Sequence, residues 1–410
     1  MPTFAYTFRD SMGTVRSGTS EAESAEILRK RLQEQGFTVT EVRQIRAQRP
    51  GGGWGRVKLS DLAIFCRQFS TMQDAGVSIV RSLDVLAQQT QSAKLRRIIM
   101  DIQAEVEAGQ TLSKAMSKYP NVFSNLFIGL IRAGEVGGVL EESLQRLAAF
   151  LEADVALRRK VRAAMTYPTI VVIAALAIVI GLVTFILPKF FDVFRDLGIK
   201  EFPVMTQMLM DFSHFLTSRW YVMIAVVVLV VIAFRMFVRT RIGRRLYDRL
   251  KLKLPVFGAL NHKIALARFS RTLSTLLSSG VPILQALETV AGTVANEIIA
   301  EAVMEARARI REGDRIGPPL ERSGMFPPMV VHMISIGEES GALDQMLSKV
   351  ADFYESEVES TLQSLTSAIE PVLIVLLGGM VGFIVISLLL PLITAVQSLA
   401  GGQQEGGGGG

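Results

Sequence analysis

A run of nineteen uncharged, mostly apolar residues at positions 169–187 limits the environments in which this chain can fold. Nineteen helical residues extend over roughly 28 Å, which is close to the thickness of the hydrocarbon core of a membrane. A helix inside a soluble protein rarely stays apolar on every face for this length. The run therefore predicts a membrane-spanning helix, and residues 220–238 and 372–393 predict two more by the same argument.

The composition is typical of a membrane protein that also has large soluble parts. Half of the 410 residues are hydrophobic and the mean hydropathy is +0.36, yet 20% are charged. The apolar excess is therefore concentrated in the spans. The single cysteine, Cys66, excludes an intrachain disulfide framework and a zinc site made of four cysteines.

The distribution of positive charge predicts the orientation of the spans. A dense basic run follows the second span and consists of Arg239, Arg241, Arg244, Arg245, Arg249, Lys251 and Lys253. Basic segments stay in the cytoplasm, so three spans place the N-terminus inside and the C-terminus outside. The four arginines up to Arg245 also predict contact with anionic lipid. Because the run adjoins a span, we expect no nucleic-acid partner.

The sequence also contains an internal repeat. The pairs at an offset of 204 positions include Leu62 and Leu266, Phe65 and Phe269, Arg67 and Arg271, and Gly109 and Gly313. From Phe123 and Phe326 onward the offset becomes 203, and it holds to the prolines that end the first and third spans. An offset with one slip over more than a hundred residues indicates a duplicated unit.

These patterns predict an all-α membrane protein with two duplicated cytoplasmic helical-bundle domains, three transmembrane helices and a small N-terminal α/β module. The predicted boundaries are 1–47 for the α/β module, 48–56 for a flexible linker, 57–168 for the first cytoplasmic domain, 169–187 for the first span, 188–219 for an external loop, 220–238 for the second span, 239–371 for the second cytoplasmic domain, 372–393 for the third span and 394–410 for an external glycine-rich tail.

Each copy of the repeat contains an acidic segment beside glycines, which the sequence predicts as a tight turn between two helices. The glutamates of these segments are Glu135 in the first copy, and Glu338 and Glu339 in the second. Exposed carboxylates there can contact a basic partner surface or a cation. In the structural alternative, Glu338 caps a helix N-terminus or pairs with Arg271. Glu135 then pairs with Arg67 in the same way.

Several motifs, taken together and in order, carry a resemblance to a known family. They are Arg67 with Ala75-Gly76-Val77, Gly134-Glu135-Val136-Gly137-Gly138, Tyr167-Pro168, Leu254-Pro255 with Gly258, Ala267-Arg268-Phe269 with Arg271-Thr272-Leu273, Gly337-Glu338-Glu339-Ser340-Gly341 with Leu343, and Glu370-Pro371. Over about residues 60–397 the chain resembles the inner-membrane assembly-platform proteins of type II secretion systems and type IV pili, the GspF/PilC family. The N-terminal unit is also of a kind found in that family.

The resemblance implies a multi-pass inner-membrane protein that couples a cytoplasmic hexameric ATPase to the extraction and polymerisation of pilin subunits. Other inner-membrane components of the machine are implied as partners. Residues 350–355 look more like the pilus branch of the family. The alternative is the equivalent platform of a type II secretion system, whose subunits are pseudopilins.

Four residues mark the points where the first and third spans begin. Tyr167 and Pro168 precede the first span, and Glu370 and Pro371 precede the third. The prolines suit first-turn positions of new helices, where the missing N–H is not needed. Glu370 can meet a charged pilin N-terminal region or another subunit, or it can lie in the headgroup layer.

The sequence predicts no enzyme and no cofactor. It has no Gly-Lys dipeptide for a phosphate-binding loop, no Gly-x-Ser-x-Gly elbow and no His-Glu-x-x-His motif. A transporter is a weaker alternative, because three spans with few polar groups make a poor solute path. An ATPase or a peptidase is another. The duplication and the glycines of the third span, which allow close helix contact, predict at least a homodimer within a symmetric machine of the kind that the resemblance implies.

Overall fold

A computed structural model describes residues 3–9, 15–21, 29, 38–45, 56–196, 202–255 and 257–402. Within these ranges a small antiparallel sheet near the N-terminus is followed by a long series of helices.

The sheet contains β1 (Thr3–Arg9), β2 (Val15–Glu21) and β3 (Thr38–Ile45), in the order β2-β1-β3. These strands overlap residues 4–8, 15–19 and 39–42, which the alternation of the sequence predicts as strands. The sequence also predicts a helix from Ser20 to about Gln35. This helix falls almost wholly outside the described residues, and so does nearly all of the linker at residues 48–56. The α/β unit of residues 1–47 therefore stays a prediction.

The first helical domain is a bundle whose apolar faces point inward. Its helices are α1 (Leu59–Asp74), α2 (Ile79–Gln89), α3 (Ala93–Glu107), α4 (Leu112–Ser117), α5 (Asn125–Gly137) and α6 (Leu140–Gly181). Phe65 and Phe69 lie one turn apart on α1 and are buried in the core. Ser92, Thr111 and Ser124 precede α3, α4 and α5, and each side chain accepts a backbone hydrogen bond from the third residue after it.

The chain between the two domains is also helical. It contains a π-helical stretch (Leu182–Ile186), α7 (Leu187–Asp196), α8 (Val204–Ser218), α9 (Trp220–Arg239) and α10 (Arg241–Lys253). The segment that we predicted as an external loop, residues 188–219, thus holds most of α7 and all of α8. The sequence signal for α8 is the helical spacing of its buried residues, Thr206, Leu209, Ser213 and Leu216. Two of these four residues are polar, so an apolar pattern alone does not reveal the helix.

The second helical domain repeats the first, helix for helix. Its helices are α11 (Phe257–Ser278), α12 (Ile283–Thr293), α13 (Glu297–Arg311), α14 (Gly317–Arg322), α15 (Pro328–Ser340) and α16 (Leu343–Gly402). The duplication is therefore confirmed. Pro318 and Pro319 do not remove the short helix α14, because they occupy its first turn, where no backbone N–H is needed.

Three helices in the described residues are long and apolar enough to cross a membrane, as the sequence predicts. The prediction that new helices begin after Pro168 and Pro371 is wrong. Both prolines lie inside α6 and α16, which continue from the helical domains into the spans. A proline removes one hydrogen bond, but in a bilayer the remaining backbone groups have no partners except those of the helix. The last helix also extends to Gly402, beyond the predicted start of the tail.

The two helical domains contact each other through α6, α11 and α16. Their shared apolar cluster consists of Leu157, Leu260, Val358, Leu362 and Leu365. Two ion pairs cross the same interface: Lys160 to Glu359 at 2.7 Å and Arg268 to Asp154 at 3.2 Å. The domains are thus joined by apolar burial and by opposite charges.

Candidate functional site

The candidate site comprises two acidic corners, which we define as residues 134–141 in the first domain and 337–344 in the second. The glutamates do not lie in a turn, as we predicted, but in the last turns of α5 and α15. The chain reverses just after them, at Gly138 and Gly341, where φ is +69° and +71°. Glycine adopts this left-handed conformation without the steric cost that a side chain brings.

Glu135 and Glu338 cap the N-termini of the short helices α4 and α14. Glu135 accepts hydrogen bonds from the backbone N–H groups of Leu112 and, at 3.2 Å, Ser113. Both carboxylate oxygens of Glu338 accept from the N–H of Ile316, at 3.2 and 3.0 Å. A carboxylate there satisfies free N–H groups and lies at the positive end of the helix dipole. The capping alternative therefore describes the geometry of both residues.

The predicted pairing of these glutamates with Arg67 and Arg271 is wrong. Arg67 makes two hydrogen bonds to Glu152 on α6, at 2.7 and 2.6 Å. Arg271 binds Glu355 at 2.9 Å and Asp352 at 2.6 Å on α16. Glu135 and Glu338 are already bound to backbone N–H groups, and the arginines instead join the first helix of each domain to its last helix.

The Arg67–Glu152 pair shifts both ionisations. The hydrogen bond from Arg67 lowers the pKa of the Glu152 carboxyl from its ordinary value, because it stabilises the charged form. The same bond raises the pKa of Arg67. Beside this pair, burial raises the pKa of the Cys66 thiol well above its usual range, so the cysteine stays protonated.

The first glycine of each corner allows the helices on either side to approach closely. A Cβ on Gly134 would lie 2.7 Å from the Cβ of Ser143, and one on Gly337 would lie 2.8 Å from the Cα of Leu343. Neither neighbour is the end of a flexible side chain, so any larger residue has to push α5 from α6, or α15 from α16. The Gly-Glu pair is thus a packing contact followed by a cap.

The exposed part of the second corner is Glu339. Its carboxylate lies 2.8 Å from the guanidinium of Arg315, and the two side chains are 62% and 69% exposed. The equivalent residue of the first corner is Val136, which is 86% exposed. The corners therefore have the same interior and different surfaces, one charged and one apolar.

The residues that precede the spans lie far from the corners. Tyr167, Glu370 and Pro371 are exposed, whereas Pro168 is buried. From the start of α6 to Pro168 there are 28 residues, which corresponds to about 42 Å of helix. The structure thus separates the candidate residues into two groups, which the continuous helices α6 and α16 connect.

Sequence reasoning missed the role of Arg268, which lies between the core residues Ala267 and Phe269. Burial lowers the pKa of Arg268, and the nearby Asp154 carboxylate acts in the opposite direction. An arginine flanked by core residues was the available signal, because a charge at such a position needs a partner. That partner, on α6 of the other domain, is not visible in the sequence.

Two arginines of the basic run are paired within the protein. Arg244 lies 3.2 Å from Glu297, and Arg245 lies 2.9 Å from Glu301, both on α13. The buried Asp248 accepts a hydrogen bond from the backbone N–H of Glu297 at 3.0 Å. Helix α10 is thus attached to the second domain. Among the described residues, no group of three or more histidine, cysteine or acidic side chains is arranged to hold a metal ion.

Comparisons with known proteins agree with this architecture. A family model described as type II secretion system protein F matches the chain twice, over residues 65–188 and 269–391. The model for the N-terminal domain of that protein matches residues 1–43. The two main matches coincide with the two copies of the repeat, each extending through its membrane span.

Curated relatives cover nearly the whole chain. The type IV pilus assembly protein PilC of Thermus thermophilus is 43% identical over 98% of this chain and 100% of its own length. PilC of Myxococcus xanthus is 41% identical over 98% of this chain and 96% of its own. The type II secretion system protein F of Vibrio cholerae is 34% identical over 96% of this chain and 98% of its own.

Proposed function

Because the chain belongs to the type II secretion system protein F family, we propose that it is the inner-membrane platform protein of a type IV pilus assembly machine. In this role it couples a cytoplasmic hexameric ATPase to the extraction and polymerisation of pilin subunits. The observation that carries the pilus assignment is the identity of 43% and 41% to pilus assembly proteins over 98% of the chain.

The alternative is the platform of a type II secretion system, which the 34% identity to the Vibrio cholerae protein supports. Deletion of the gene distinguishes the two. We expect loss of surface pili with unchanged export of folded enzymes, and recovery of pili when the intact gene is returned. Loss of enzyme export from cells that still make pili would assign the protein to the secretion branch.

The continuous helices α6 and α16 support a mechanical role. Each one begins at an acidic corner and continues through a membrane span. A force on a corner is therefore applied to the same helix that contacts the bilayer. With both helical domains in the cytoplasm, as the basic run after the second span favours, the corners lie on the side where ATP hydrolysis takes place.

The contact with the ATPase is proposed for the exposed surfaces of the corners, at Glu339 with Arg315 and at Val136. Glu135 and Glu338 contribute indirectly, since they hold α4 and α14 in place beneath these surfaces. Arg67 and Arg271 also contribute indirectly, because their ion pairs hold α6 and α16 against the first helix of each domain. The second corner presents a charged surface and the first an apolar one at the equivalent position. This difference suits a partner that makes a different contact with each domain.

Cross-linking in cells tests this contact. A photoreactive amino acid replaces Glu339 or Val136. The control is a variant in which the same photoreactive amino acid replaces Met208 on α8. We expect cross-links to the ATPase from the first two positions and none from the control. Pili that assemble normally without any cross-link from either corner would contradict the proposed contact.

The remaining partners are proposed from position. Glu370, exposed where α16 approaches the membrane, is placed to meet a charged pilin segment. Arg239, exposed at the end of α9, is the described arginine of the basic run best placed for anionic lipid, because Arg244 and Arg245 pair with α13. The protein acts as at least a homodimer together with other inner-membrane components.

A further inference from the structure

Helix α8 carries three stripes of different character. Its buried stripe consists of Thr206, Leu209, Ser213 and Leu216. Its exposed apolar stripe consists of Val204, Met205, Met208, Phe212 and Phe215. Its exposed polar stripe consists of Gln207, Asp211, His214 and Ser218. At about 100° per residue, each set lies on its own side of the helix.

The buried stripe attaches α8 to the first span at a backbone carbonyl that a proline leaves free. In the π-helical stretch each N–H binds the carbonyl five residues earlier, as Leu187 does to Leu182. The next residue, Pro188, has no N–H, so the carbonyl of Val183 lacks its helical partner. The Ser213 hydroxyl donates to this carbonyl at 2.7 Å.

The same device recurs at the equivalent point of the third span. Pro391 has no N–H for the carbonyl of Ser387, four residues earlier in α16. The Thr206 hydroxyl donates to that carbonyl at 2.7 Å. Thr206 and Ser213 are two helical turns apart on α8, so one face of this helix satisfies both carbonyls that the prolines leave free.

Apolar contacts complete the attachment. Leu209 is buried with Val183 and Leu187 of the first span and Ile384 of the third. Helix α8 therefore lies across the ends of the two spans, on the side away from the helical domains. Beside these contact residues in the sequence, the spans expose the apolar side chains of Phe185, Ile186, Val385, Ile386 and Leu389.

We propose that α8 is an interfacial membrane helix whose apolar stripe binds lipid acyl chains. The stripe continues the apolar surface that the spans present to lipid, while the polar stripe is placed for the headgroups and water. A helix with a wide apolar face and a separate polar stripe binds at the boundary between headgroups and acyl chains. The aromatic and methionine side chains suit burial in that layer, and the five apolar residues of the stripe would form an unusual apolar patch if they faced water.

Spin labelling of the full-length protein in phospholipid vesicles tests the proposal. In a Cys66→Ala background, a nitroxide is attached at Phe212→Cys or Met208→Cys on the apolar stripe, or at His214→Cys on the polar stripe. Phe185→Cys on the first span is the lipid-facing reference. Collisions with oxygen, which concentrates in the bilayer, are compared with collisions with a water-soluble nickel chelate.

We expect the ratio of oxygen to nickel collisions at residues 208 and 212 to approach that at residue 185. It should exceed the ratio at residue 214 several-fold. Equal nickel accessibility at residues 212 and 214 would show that the stripe faces water and would overturn the proposal. Protection of residues 208 and 212 from both reagents would show that a second copy of the chain covers the stripe, which also overturns it.

Discussion

The two helical domains share their interior and differ in how they use one outer face. In the second domain, Arg268, Val358 and Leu362 contact α6 of the first domain, through the Asp154 ion pair and the apolar cluster. The equivalent residues of the first domain are Ile64, Val155 and Arg159. They line an open groove of about 340 Å³, and Ile64 is 58% exposed.

The difference shows which parts of the duplicated unit are fixed by folding and which are free to change. The corner glycines, the capping glutamates and the arginine pairs between first and last helices occur in both copies. Each of them acts inside one domain: the glycines allow close helix packing, the glutamates bind backbone N–H groups and the arginines form ion pairs. The outer faces diverge because one is covered by the other domain and the other is not. Substitutions at equivalent positions can therefore test each part separately.

The largest effect is expected at the corner glycines. Gly134→Ala and Gly337→Ala should each lower the free energy of unfolding by about 3 kcal/mol, because the added Cβ meets the following helix. Unfolding by denaturant in detergent micelles measures this. The matched control is Gly129→Ala on the same helix as Gly134, where nothing lies within 4 Å. It should stabilise by about 0.5–1 kcal/mol, and equal losses at residues 129 and 134 would contradict the packing role.

The next effect separates the two outer faces. Arg268→Leu should destabilise by about 2 kcal/mol, because it leaves Asp154 without a partner across the interface. Ile64→Arg, which places the same charge at the equivalent exposed position, should change stability by less than about 0.5 kcal/mol. Unfolding titrations of both variants give the comparison. Equal effects would show that the two faces are not used differently.

A smaller effect is expected from the caps. Glu135→Ala and Glu338→Ala should each reduce stability by about 1 kcal/mol, as loss of a helix cap does. Glu339→Ala removes only an exposed ion pair and should reduce stability by about 0.5 kcal/mol or less.

In cells, Glu339→Lys should impair pilus assembly with normal protein levels. A lowered level of the Glu339→Lys protein would instead assign this residue a folding role.

Removal of the two hydroxyls on α8 that bind the spans should lower the free energy of unfolding by a similar or slightly smaller amount than removal of a cap. Thr206→Val and Ser213→Ala should each reduce stability by about 0.6 kcal/mol, the average for a hydrogen bond in a membrane protein. Thr217→Val is the matched control, because its hydroxyl donates to a carbonyl of its own helix. Thermal unfolding in micelles is suitable for this comparison. A control effect as large as the other two would remove the special role of the proline-freed carbonyls.

The smallest effect concerns pH. The pKa of Glu152 is lowered in the folded protein, so its pairing with Arg67 contributes stability above the unfolded pKa of about 4.3. This contribution is lost as the pH falls through the folded pKa. Because the pair is partly exposed, the loss should be only about 0.5 kcal/mol. Arg67→Met should remove this part of the pH dependence between pH 5 and 3, which titration of stability would detect.

The parts of this fold that depend on local pattern could be predicted from the sequence. The uncharged run at 169–187 specifies a span by its length alone, and the duplication follows from the constant offset. The partners of Glu135 and Arg67 could not be predicted, because they lie 23 and 85 positions away in the chain. Which residues become partners depends on how the helices pack, and residue spacing in the sequence does not determine that packing.

The prolines misled the prediction of helix boundaries and yet held useful information. The sequence predicts a helix start at Pro168, although α6 continues through this residue, because membrane surroundings favour an unbroken helix. Pro188 and Pro391 mark the ends of spans in the sequence, but they also carry a second signal. Because each removes one N–H, their repetition implies two carbonyls that need outside donors. Thr206 and Ser213 were the hydroxyls available for this purpose.

The matched positions of the prolines have a mechanical consequence. Pro168 lies 28 residues after the start of α6, and Pro371 lies 28 residues after the start of α16. Helices bend most readily at proline, so α6 and α16 each have a preferred bending point at the same distance from their acidic corner. Bending at both prolines would act as a hinge, which tilts the two helical domains together relative to the membrane spans.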